Sequence, residues 1–139
     1  MSEEVIIARE TKNVLGTVQI GGAKNSALKL IAASILGQGK SVLHNVPHIS
    51  DTDIMSAVLR SLGAEVYWED KSLVVDTIHA EGHETPYELV SKMRASISVL
   101  GPLLGRFGCA KVAMPGGCNL GARKNRYAPQ SAAGYGCAF

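Results

Sequence analysis

The sequence predicts a repeated α/β unit, and three observations predict it. Short β-branched runs alternate with stretches of helical spacing along most of the chain. Glycine or proline punctuates nearly every change of character. The resulting order is β-α-β-α-β-β and then α-β, a repeated α/β unit rather than a dinucleotide-binding domain.

Residues 5–8 (Val5-Ile6-Ile7-Ala8) and 16–20 (Gly16-Thr17-Val18-Gln19-Ile20) predict two short strands across a polar turn. Gly21-Gly22 permits a tight turn, after which Asn25 or Ser26 is placed to cap a helix. Leu28, Ile31, Ala32, Ile35 and Leu36 give that helix its apolar stripe, and Gly37 and Gly39 end it. Residues 41–46 read as a strand halted by Pro47. His48 to Asp53 has the residue types of a metal cluster, but a helix start explains the pattern better. Ser50 or Asp51 then caps, and Asp53 sits favourably against the helix dipole. Ile54, Ala57, Val58 and Leu62 supply the buried stripe, and Gly63 closes it. Residues 65–69 and 73–76 predict a hairpin over Asp70-Lys71-Ser72. His79 and His83 are four apart, yet Gly82 and Pro86 deny them a shared helix, so both read as loop residues. From Pro86, the spacing of Leu89, Met93, Ile97, Leu100 and Leu104 predicts one long helix, bent at Gly101-Pro102 and carrying Arg94. A strand over 110–114 follows.

Composition excludes several classes of function. A net charge of +2 without a Lys/Arg run does not make a nucleic-acid surface, and 5% aromatics is too few for a base-stacking platform. Apolar stretches are broken by Lys, Arg or Gly well short of a membrane span. The acidic start Met1-Ser2-Glu3-Glu4 is unlike a secretory leader, and Cys109, Cys118 and Cys137 form no CxxC. A cytoplasmic protein with free thiols is expected, with no metal and no cofactor.

Two stretches carry chemistry. Lys24 at a helix N-terminus makes an anion site, because free N–H groups and the dipole favour negative charge; the glycine spacing is not that of a P-loop. In Met114-Pro115-Gly116-Gly117-Cys118-Asn119-Leu120-Gly121-Ala122-Arg123, glycines let the backbone press onto a ligand, and a nearby cation favours the Cys118 thiolate. On spacing alone, a glycine-rich surface turn with an incidental cysteine fits as well. Residues 124–139 contain no acidic residue and show neither helical nor strand period, and read as a poorly ordered tail.

Three separated motifs together resemble a known family. Gly22-Ala23-Lys24-Asn25-Ser26-Ala27, then Met93-Arg94-Ala95-Ser96-Ile97 with Leu100-Gly101-Pro102-Leu103, then 115–123 are similar to the UDP-N-acetylglucosamine 1-carboxyvinyltransferase family of enolpyruvyl transferases. The likeness spans roughly residues 3 to 123. The enolpyruvyl-shikimate-phosphate synthases share the fold but lack the Gly-Gly-Cys loop. The resemblance implies an inside-out α/β barrel of βαβαββ units, here incomplete. Residues 1–20 are the N-terminal strands of the second, catalytic domain, 21–123 part of the first domain, and 124–139 a non-family tail.

The resemblance also implies roles. Lys24, Asn25 and Arg123 meet phosphoenolpyruvate, Asn25 and Arg94 meet UDP-N-acetylglucosamine, and Cys118 is the general acid. Two departures stand out. Ser98 replaces a tryptophan common in the family, and Lys124-Asn125-Arg126 replaces Pro-Val-Asp, as a frameshift or truncation would produce. The implied activity is enolpyruvyl transfer to the sugar 3′-hydroxyl, the first committed step of peptidoglycan synthesis, with this chain a truncated, inactive portion; association with a complementary chain is a further expectation. A non-catalytic UDP-sugar-binding module and an unstable fragment with a bare apolar face are the alternatives.

Overall fold

The computed structural model describes residues 5–113. Four helices, α1 (Lys24–Ala33), α2 (Ser50–Ser61), α3 (Tyr87–Val90) and α4 (Leu100–Phe107), accompany three strands among them. The strands are β1 (Lys40–His44), β2 (Glu65–Glu69) and β3 (Ser72–Asp76). Single 3-10 segments continue α1 over Ser34–Leu36 and precede α4 over Arg94–Val99.

The sheet runs β1-β3-β2, with both neighbours antiparallel to β3. β1 and β2 therefore point the same way, and α2 carries the chain across between them before β3 folds back into the gap. Glu69 pairs with Ser72, so the hairpin turn is Asp70-Lys71 alone and Ser72 belongs to the strand, one residue earlier than expected. Asp70 takes the left-handed backbone (φ 51°) that so short a connection demands.

Alternation sorts the strand residues by face. Leu73 and Val75 enter the core with Val66, beneath Leu28, Ile31 and Ile35 of the first helix and Met55, Val58, Leu59 and Leu62 of the second. Val74 faces outward but is covered from water, flanked in register by Val42 and Tyr67. Lys40 lies over the Tyr67 ring at 5.7 Å on the same face.

The structure corrects several expectations. Residues 5–20 form no strand; they are exposed and irregular, because no strand among the described residues offers them hydrogen-bond partners. Asn25 and Ser26 lie inside α1 and the cap position is Ala23. The cap position of α2 is Ile49, with Ser50 and Asp51 already helical. Its polar work falls to the buried Thr52 hydroxyl, which accepts from the Ile49 N–H (3.1 Å) and lies 3.0 Å from the Pro47 carbonyl. The buried stripe of α2 includes Met55 and Leu59, while Ile54 and Ala57 are only half-buried; the stripe of α1 stops at Ile35, leaving Leu36 exposed.

The long helix from Pro86 is broken at Ser91–Met93, where Met93 is extended (φ −142°, ψ 121°), and not at Gly101-Pro102. Pro102 falls in the first turn of α4, a position proline tolerates. Of the strand expected over 110–114, residue 114 lies outside the described residues, and over 110–113 Lys111 makes one bridge to Glu84 instead. Arg106 fastens α4 to the rest, donating from Nη1 to the Ile35 and Gly37 carbonyls (both 3.0 Å) and from Nη2 to Thr77 (2.8 Å).

Candidate functional site

The site is built at the start of α1, and its placement begins with a close approach. Gly22 lies so tightly on residue 45 that an added Cβ would stand 1.7 Å from the Asn45 carbonyl oxygen, so only glycine passes there. Asn45 is itself left-handed (φ 54°), a conformation asparagine tolerates better than most residues. Ala23 follows in extended conformation and supplies no side-chain cap. The first helical bond runs from the Ala27 N–H to the Ala23 carbonyl (3.0 Å), which leaves the N–H groups of Lys24, Asn25 and Ser26 without a helical acceptor. An uncapped helix start suits an anionic ligand.

Lys24 Nζ is ion-paired with Asp51, which lies in the first turn of α2. Opposite them the extended Met93 turns the chain so that Arg94 opens the 3-10 segment. A cleft of about 480 Å³ lies between these elements. Lys24, Asn25, Leu28, Lys29, Asp51, Lys92, Met93, Arg94, Ala95 and Ser98 line it. Lys24, Lys29, Lys92 and Arg94 set four cations against the single acid Asp51. The field of such a cleft concentrates anions. Ammonium, guanidinium and free N–H donors together bind phosphate or carboxylate by charge-assisted hydrogen bonds.

The structure thus brings together three of the residues singled out by sequence, Lys24, Asn25 and Arg94, from two separate elements. Cys118 and Arg123 lie outside the described residues. Lys29, Lys92 and Asp51 were missed as cleft residues. Lys92 had a faint signal in its spacing from Arg94. Asp51 was legible only as a helix start, because which lysine it faces depends on how two helices pack. Ser98 puts a small hydroxyl on the cleft wall.

A larger cleft, about 920 Å³, lies beside the hairpin and is lined by Gln19, Asn45, Val46, His48, Trp68, Asp70 and Lys71. It gathers none of the converging cations, and chemistry favours the smaller one. His48 stacks on Trp68 (4.6 Å between ring centroids) and pairs with Asp53 at 3.2 Å. Among the described residues no cluster of His, Cys, Asp or Glu suits a metal, and no helix is long and apolar enough to cross a membrane.

Comparison with known proteins bears on this geometry. Residues 8–124 match the family model described as EPSP synthase (3-phosphoshikimate 1-carboxyvinyltransferase). The UDP-N-acetylglucosamine 1-carboxyvinyltransferase of Chloroherpeton thalassium is 50% identical over 121 residues, 86% of this chain and 28% of that protein. Those of Wolbachia pipientis and Finegoldia magna are 42% and 47% identical, each over 86% of this chain and over 30% and 29% of their own lengths. The chain therefore spans under a third of the length of these relatives. Among solved structures, the enolpyruvyl transferase NikO from Streptomyces tendae superposes with a TM-score of 0.62 at 26% identity, covering 69% of this chain and 22% of that one.

Proposed function

This chain belongs to the EPSP synthase family of enolpyruvyl transferases, and on that premise we propose that it is part of an enzyme moving the enolpyruvyl group of phosphoenolpyruvate to the 3′-hydroxyl of UDP-N-acetylglucosamine. The observation that carries the reading is the convergence of Lys24, Asn25 and Arg94 on one cationic cleft at an uncapped helix start. The name shared by the relatives selects the acceptor sugar.

In this reading the Lys24 ammonium and the free N–H groups of α1 hold the anionic groups of phosphoenolpyruvate. Arg94 faces the UDP-sugar, and Asn25 lies between the two ligands. Cys118 protonates the enol methylene while the sugar hydroxyl adds at C2, and Arg123 neutralises phosphoenolpyruvate. Positive charge develops at C2 as the alkene takes its proton, so exclusion of water protects the intermediate. Loss of phosphate together with a proton from the new methyl group of the adduct leaves the enolpyruvyl ether. No step calls for a cofactor. Residues 1–20 belong to the second domain, a reading that the exposure of the described residues 5–20 supports. A cytoplasmic setting goes with it, since thiols outside any CxxC spacing suit a reducing compartment. The residues given span under a third of the length of the relatives, and on their own they are expected to bind without turning over.

Calorimetric titration with UDP-N-acetylglucosamine, phosphoenolpyruvate and shikimate 3-phosphate, paired with a phosphate-release assay, tests the proposal. Binding of the first two without phosphate release is expected. Preference for the shikimate ligand would move the chain to the sister reaction, and release at rates near those of a full-length relative would refute its incompetence.

A further inference from the structure

The Lys24–Asp51 ion pair joins the first turns of α1 and α2 inside the cationic cleft. The ammonium that an incoming anion would use is thus already in contact with a carboxylate. Asp51 is the more enclosed partner, its side chain 23% exposed against 53% for Lys24. The start of α2 favours negative charge at that position. The carboxylate is therefore the fixed member, while the lysine's long stem lets its head group move.

We propose that Asp51 is a specificity-determining residue, a built-in competitor that sets how much negative charge a ligand must bring to occupy the cleft. A monoanion that takes Lys24 from Asp51 exchanges one ion pair for another and leaves the carboxylate facing it. A ligand with two anionic groups, such as a phosphate with a carboxylate or a diphosphate, engages Lys24 through one group. The other reaches the α1 N–H groups or Arg94. The cleft consequently discriminates against acetate and chloride in favour of polyanions. This rests on reading the cleft as the substrate site, but it concerns the charge rule and not the identity of the substrate.

The test follows the backbone amide resonances of Lys24, Asn25 and Ser26 while inorganic phosphate or acetate is added to the wild-type chain, Asp51→Asn and Asp51→Glu. Asp51→Asn should bind both anions about tenfold more tightly, equivalent to about 1.4 kcal/mol, and should prefer phosphate over acetate less than the wild type does. Asp51→Glu should keep the wild-type preference, which separates charge from shape. The wild-type chain provides an arm that needs no variant to fold: acetate should leave these amides unmoved at concentrations where phosphate shifts them. Equal response to both anions overturns the proposal, as does an Asp51→Asn chain that binds phosphate no more tightly than wild type. If Asp51→Asn gains phosphate affinity but the wild type binds neither phosphoenolpyruvate nor UDP-N-acetylglucosamine, the enzymatic reading fails and the charge rule stands.

Discussion

Replacing Arg106 with alanine should cost about 3 kcal/mol of stability, and the figure follows from where its donors go. The guanidinium serves three carbonyls, those of Ile35 and Thr77 in half-buried settings and that of Gly37 near solvent. A hydrogen bond from a charged donor contributes roughly 1.5 kcal/mol or more when shielded, and much less when water replaces it. Two shielded bonds and one open one therefore give about 3 kcal/mol, with the guanidinium over the Phe107 ring (5.0 Å) adding about 0.5 kcal/mol or somewhat more. Urea unfolding measures it: with a slope of roughly 1.5 kcal/mol/M, the midpoint should fall by about 2 M while the slope stays unchanged. Arg106→Lys keeps the charge but loses the planar fork, and should fall about half as far. Because α4 continues the segment that begins at Arg94, ligand-induced shifts in the cleft should weaken in parallel. A midpoint displaced by less than about 0.3 M would show that water replaces all three bonds and that the reasoning is wrong.

Gly22→Ala should be more damaging than any single core truncation of one methyl, since its Cβ would collide with the Asn45 carbonyl; thermal melting should show a loss of at least about 2 kcal/mol, whereas Gly16→Ala, with open space around it, should change little. If Cys118 is the general acid proposed above, it should be alkylated faster than the exposed Cys109, since a cation close by favours a thiolate; peptide mapping after brief iodoacetamide treatment decides, and equal rates would remove the case for an activated thiol. Lys40 is held above its ordinary value of 10.5, first by its hydrogen bond to Tyr67 and then by the charges of Tyr67, Glu69 and Asp76, against a small opposing effect of burial. A raised folded value stabilises below the unfolded one and is lost as pH climbs through the folded one, so stability should be flat on this account up to about pH 10 and decline beyond it. Tyr67→Phe should blunt that decline in urea midpoints taken across the alkaline range.

Much of the architecture was legible because burial writes period into sequence. The spacing of Leu28, Ile31, Ala32 and Ile35 located α1, and the apolar runs in 65–69 and 73–76 on either side of Asp70-Lys71-Ser72 located the hairpin. What failed was decided by partners far along the chain. Val5 to Ile20 has strand composition, but a strand exists only when another lends it hydrogen bonds. The run from Leu89 to Leu104 keeps helical spacing across Met93, yet Met93 turns extended there and the helix does not pass through it. At the cleft, Lys24, Asn25 and Arg94 were readable from motif, whereas Asp51 and Lys29 became cleft residues only through the packing of α1 on α2 and on the segment after Met93.

The exposed N-terminal run makes the working concentration of this chain part of its chemistry. Val5, Ile6, Ile7, Val14, Leu15, Val18 and Ile20 are each at least 74% exposed, along a backbone whose amides and carbonyls are offered to any second copy that comes near. Raising the concentration should favour burial of that run against a second copy. Light scattering should therefore climb steeply with protein added and relax on chilling, since the drive to hide oily groups from water slackens in the cold.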